Sequence, residues 1–167
     1  VDVTTLRGLP LTYAEVGATA GTLPAGYHHL ELSAPIGTGR ARFEQAADAV
    51  LHWGMHRGAG VGVRVDADSD VAEVDSVALV RLGLLRAPCR VVYVINEPDR
   101  RGFAYGTLAG HPESGEELFS VRYDPADETV YTHIRAFSRP ATWWTKLGGP
   151  FGRMTQRVIA KRYLRAV

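Results

Sequence analysis

"GFAYGTLAGHPESGEELFSVRYD", residues 102–124, decides how the chain is read. Two runs rich in Phe, Tyr, Val, Leu and Thr flank "HPESG", a short polar connection holding proline and glycine. That is hairpin chemistry: β-branched and aromatic residues suit a pleated surface, while Gly and Pro supply the turn. In the second run Glu117, Phe119, Val121 and Tyr123 share one face, and Glu116, Leu118, Ser120 and Arg122 share the other. Phe119 and Val121 mark the first set as the inward one. Glu117 then lies at the edge of an apolar face, where an unpartnered carboxylate is costly.

The same period of two extends outward from this hairpin. "GVGVRVDA", "SVALVRLGLL", "CRVVYVINE" and "TVYTHIRAFS" join the two central runs, separated by Asp, Pro and Gly breaks. Short breaks imply antiparallel neighbours. Before them, "YHHLELSAPIG" reads as a strand. "GTGRARFEQAADAVLHWGMHRG" reads as a helix, with Phe43, Ala46, Ala47, Val50, Leu51 and Trp53 at helical spacing. From Ala141 to Leu164 the helical period returns, with Leu147, Phe151, Met154, Val158 and Ile159 as its apolar stripe; Pro150 suits a first helical turn. The order is strand, helix, six antiparallel strands, long C-terminal helix. The expected fold is therefore α+β: a curved antiparallel sheet wrapped around the C-terminal helix, with a further helix after the first strand.

Composition bounds the function. The chain has 167 residues, 46% hydrophobic and 22% charged, which fits one domain over 1–167. Lys and Arg number 19 against 18 Asp and Glu, so no global field favours nucleic acid. The basic C-terminal residues Arg153, Arg157, Lys161, Arg162 and Arg165 lie mostly off the apolar stripe and read as a solvated face. Cys89 is the single cysteine, which excludes an internal disulfide and a multi-thiolate metal site and favours a reducing, cytoplasmic setting. No apolar run approaches the roughly 18–20 residues that span a bilayer, so stable membrane insertion is not expected.

Several polar residues invite a chemical role. Glu117 has two: fixing the hairpin through turn amides or a neighbouring base, or acting as a polar anchor or acid–base group whose pKa burial raises. His111 sits in a turn without the convergent ligands a metal needs, and neither a metal nor a cofactor is expected. His133 and Arg135 share a face with Tyr131 and Phe137, opposite Val130, Thr132, Ile134 and Ala136. If the aromatic set points inward, His133 and Arg135 join Glu117; if the aliphatic set does, they face outward. "IGTGR", residues 36–40, is too short for a dinucleotide fingerprint and lacks the lysine of a P-loop, so Thr38 is expected to cap a helix. Trp143 and Trp144 either close one end of the interior or form an external partner patch, and packing is the favoured reading.

The hairpin string "YGTLAGHPESGEELF" (105–119), with "YAEVGAT" (13–19), "LPAGY" (23–27), "IGTGRARFEQAADAVLHW" (36–53), "AFSRP" (136–140) and "GPFGRMTQRVIAKRYL" (149–164), resembles the uncharacterised protein family UPF0548 over nearly the whole chain. That family is grouped with the START-like helix-grip superfamily, which includes the birch pollen allergen type, lipid-transfer domains and polyketide cyclases. The resemblance implies a ligand cavity between sheet and C-terminal helix. The expected function is binding of a hydrophobic small molecule or lipid by Tyr105, Glu117, Phe119, Arg135, Phe137, Phe151 and Met154. The alternative is a cyclase or dehydratase acting on a polyketide- or isoprenoid-like substrate, with Glu117, His133, Tyr105 or His111 as acid–base candidates. A third option is an interaction protein acting through its surface.

Overall fold

A computed structural model describes residues 3–66, 70–141 and 157–167. Strands β1 (His28–Thr38), β2 (Gly62–Val65), β3 (Val77–Leu82), β4 (Leu85–Asn96), β5 (Arg100–Thr107), β6 (Glu113–Tyr123) and β7 (Thr129–Pro140) form one sheet in the order β1-β7-β6-β5-β4-β3-β2. Every neighbouring pair is antiparallel. Although consecutive in the chain as strands, β1 and β2 occupy opposite edges. Helices α1 (Arg40–Leu51) and α2 (Gly54–Gly58) connect them, and α1 packs on β5 and β6. Pro35, which cannot donate to a ladder, falls on the edge strand β1 beside a bulge. A second bulge lies between Val91 and Tyr93 in β4, and such bulges help bend a sheet.

The register fixes the two faces. Glu117, Phe119, Val121 and Tyr123 stand opposite Ala136, Ile134, Thr132 and Val130, and Tyr105 and Phe103 stand opposite Glu117 and Phe119. These residues line the concave face. They join Phe43, Ala46, Ala47 and Val50 of α1 in the main core. The C-terminal helical segment α3, described over 157–163, enters the same core through Ala160, Tyr163 and Leu164. Val158, expected on its apolar stripe, is instead half-exposed; the buried side of the described turns is one position round the helix. Phe151, Met154, Trp143 and Trp144 lie outside the described residues.

The convex face is also covered. Residues 3–27, with two 3-10 turns at Val3–Gly8 and Ala18–Ala20, lie over it. Leu6 packs with Val77, Leu79 and Leu108 in a second, smaller cluster. Two local expectations change. "SVALVRLGLL" is not one strand: it turns at Gly83 and Leu84, and β4 runs on through Pro88. Thr38 ends β1 rather than capping α1, whose N-cap is Gly39 without a side-chain cap bond.

Candidate functional site

Two adjacent glutamates on β6 point to opposite faces, and their surroundings separate their roles. Glu116 is 2% exposed on the convex side, where its Oε2 accepts from Tyr13 Oη at 2.7 Å and from the Gly17 amide at 2.7 Å. Its Oε1 accepts from the Thr19 amide at 3.0 Å and from the Thr19 hydroxyl. All its donors come from the N-terminal segment, so this carboxylate is a fastener for residues 13–19.

Glu117 faces the concave side with far fewer partners. Its Oε2 accepts from Tyr105 Oη, directly across on β5, at 3.1 Å. Burial pushes its carboxyl up to about 7; the Tyr105 hydrogen bond pulls it down, and Glu113 raises it again. Burial, with Glu117 as the next cause, raises the Tyr105 and Cys89 groups and, at the end of α3, Tyr163. A carboxyl near neutrality can exist in either protonation state at physiological pH.

Around this pair stands an aromatic wall. Tyr105, Phe119 and Phe103 are joined by Trp53, whose ring lies 4.6 Å from that of Phe103. In the middle is His56, fully buried, its ring 4.5 Å from Phe119, 4.9 Å from Tyr163, 5.2 Å from Trp53 and 5.7 Å from Tyr105. Both imidazole nitrogens and the Trp53 indole nitrogen are buried without a hydrogen-bond partner among the described residues. Burial above all, with Arg57 adding repulsion, lowers the His56 pKa to about 3, so the ring is neutral. Such atoms each cost about 1–3 kcal/mol while unpartnered.

Local sequence explains why these groups converge. Trp53 adopts φ 61°, which ends α1 and turns the chain into α2. Gly58 then meets the chain's last residues: a Cβ there would stand 2.6 Å from the Ala166 carbonyl oxygen. A larger residue would push α3 away from His56.

Of the residues expected at the site, Tyr105, Glu117 and Phe119 come together. Arg135, Phe137 and His133 do not. The aliphatic face of β7 points inward, which places those three on the convex side. There Arg135 donates to the carbonyls of Thr19 and Gly21 at 2.9 and 2.6 Å and pairs with Glu31 at 3.4 Å. His133 meets Glu31 at 3.1 Å, and Phe137 is buried between Tyr13 and Tyr27. His111 lies in the β5–β6 turn, its Nδ1 accepting from the Glu113 amide at 2.9 Å, away from the concave face. Among the described residues, no three His, Cys, Asp or Glu side chains are grouped to hold a metal ion, and no helix is long and apolar enough to cross a membrane.

Residues 12–166 match the family described as "Domain of unknown function (DUF1990)". The chain belongs to this family. A UPF0548 protein from Arabidopsis thaliana is 31% identical over 150 residues, covering 79% of this chain and 67% of the plant protein. A UPF0548 protein from Deinococcus radiodurans is 42% identical over 76 residues, covering 46% of this chain. That match spans 38% of the Deinococcus protein's length. The DUF1990 chain also shares its fold with solved structures. A hypothetical protein from Helicobacter pylori superimposes with a TM-score of 0.64 at 7% identity, over 93% of this chain and 94% of that one. A major latex-like protein from Panax ginseng does so at 0.54 and 15% identity, over 82% and 94%. The motif resemblance to UPF0548 and the helix-grip arrangement are thereby met in this DUF1990 member.

Proposed function

We propose that the protein binds an apolar small molecule, such as a lipid, in its concave interior, with the polar end of the ligand at Glu117 and Tyr105. The observation that carries this is the setting of Glu117. It lies deep on the concave face yet keeps some accessible surface. Its second carboxyl oxygen has no partner among the described residues, while the wall beside it is aromatic. A concave face of that character offers a ligand apolar area for affinity and one polar group for orientation. Phe151 and Met154, outside the described residues, are proposed as further ligand contacts.

Titration with the neutral dye Nile red tests this. Saturable emission that is displaced by unlabelled long-chain alcohol and weakened at least about five-fold by Phe119→Asp is the expected result. Emission no greater than in the presence of an unrelated folded protein overturns it.

A second reading, a cyclase or dehydratase, is favoured by one feature: the Glu117 carboxyl titrates near neutrality beside a tyrosine hydroxyl. As a carboxylate it can accept a proton from a bound substrate and, once protonated, return one. In that case Glu117→Gln abolishes turnover of a polyketide- or isoprenoid-like substrate while dye binding persists. Under pure binding, the same variant changes only affinity.

A further inference from the structure

The β3–β4 turn carries a feature that the interior site does not explain. It is two residues long, Gly83 and Leu84, between the paired residues Leu82 and Leu85. Gly83 has φ 58°, backbone that favours glycine at the first central position of a tight hairpin. Position 84 carries no such demand, and polar residues normally occupy exposed turn positions. Here Leu84 is 101% exposed and Leu85 49% exposed. On the other face of the same hairpin, Arg81 and Arg86 stand directly opposite each other. Like charges so placed repel. Among the described residues neither arginine has an ion-pair partner, and Arg86 lines a cleft of about 460 Å³ with Leu85, His111 and Arg139.

We propose that this hairpin tip docks on an anionic lipid bilayer, with Leu84 and Leu85 entering the boundary between headgroups and acyl chains and Arg81 and Arg86 meeting the anionic headgroups. Apolar side chains flanked by cations form the interfacial pattern of peripheral membrane proteins. The charges select the partner: an anionic surface relieves the Arg81–Arg86 repulsion, whereas a neutral one does not. Leu82 and Leu85 continue the concave face, at the end of the sheet where the β5–β6 turn also lies. Docking is therefore proposed to hold the rim of the interior against the membrane, whether or not the interior is occupied.

Co-sedimentation with vesicles tests the proposal. Vesicles mixing phosphatidylglycerol with phosphatidylcholine are expected to bind the protein at least about ten-fold better than phosphatidylcholine alone, and added salt weakens the difference. Replacing both arginines (Arg81→Gln, Arg86→Gln) lowers binding by about 25-fold, since each basic residue near the surface contributes about five-fold. Leu84→Asp reduces it to background. All three positions are solvent-facing or rim positions, so thermal unfolding followed by circular dichroism is not lowered, and loss of the Arg81–Arg86 repulsion raises it slightly in the double variant. Equal binding to both vesicle types, no binding, or variants that bind like the wild type overturn the proposal. So does a Leu84→Asp protein that loses a dimer present without vesicles, which would assign the tip to a protein contact.

Discussion

Glu117 and His56 titrate in opposite directions, and the signs separate their effects. The folded Glu117 value of about 7 lies above the 4.5 of the free side chain. The folded protein therefore keeps a proton that the unfolded chain gives up, and its stability falls as pH rises from about 4.5 to about 7, by about 3 kcal/mol in all. His56, held near 3 against 6.5 when unfolded, and His111, held near 4, do the reverse: their contribution is present above 6.5 and is lost as pH falls. Comparing wild type with Glu117→Gln isolates the glutamate. The variant is expected to gain in melting temperature over wild type progressively from about pH 5 to about pH 8 in the ligand-free protein. A gap that is the same at both ends contradicts the assignment. His56→Phe removes two unpartnered nitrogens, and relief of about 1 kcal/mol raises the melting temperature by about 2–4 °C. A lower melting temperature with unchanged acid sensitivity would mean that the ring simply packs.

At the scale of elements, the fastener at Glu116 joins an irregular segment to a regular sheet. Glu116→Gln replaces an acceptor-only carboxylate by an amide whose N–H₂ meets donors, at a cost of about 2 kcal/mol. Hydrogen exchange is expected to show the amides of Gly17 and Thr19 losing protection first, while those of β6 and β7 keep theirs. Uniform loss across the sheet would contradict a local latch. This segment also explains which parts of the site were legible in advance. Alternation along β6 placed Glu117 and Phe119 on the inward face, because one face of that strand is plainly apolar, and Tyr105 of β5 stands directly opposite Glu117 there. On β7 alternation could not choose, since both faces are buried: Ile134 under the concave core and Phe137 under Tyr13 and Tyr27. The cover over Phe137 is Gly-, Pro- and Thr-rich chain whose packing has no period to read. His56 and Trp53 escaped for a related reason. They follow a helix end set by the left-handed backbone at Trp53, and their neighbour Tyr163 is over a hundred residues away in sequence. The Gly54-x-x-x-Gly58 spacing was the available signal, marking a surface where another segment packs closely.

For the molecule as a whole, the six antiparallel strands and the return of the C-terminal helix to the concave side were readable from the change of hydrophobic period along the chain, whereas the pairing that puts β1 at one edge was not. The grouping of His56, Trp53, Phe119 and Tyr163 on the concave side depends on side chains meeting across the fold, which no local pattern encodes. The central claim is that the concave interior, with Glu117 at its wall, holds an apolar molecule. Native mass spectrometry of the protein purified from its source cells, with organic extraction and analysis of what is released, tests it most directly. A discrete added mass that extraction removes, and that is absent from a Phe119→Asp protein purified in parallel, is the result expected. A protein of unadorned mass in both preparations, which also takes up no long-chain alcohol or lipid when these are added, would contradict it.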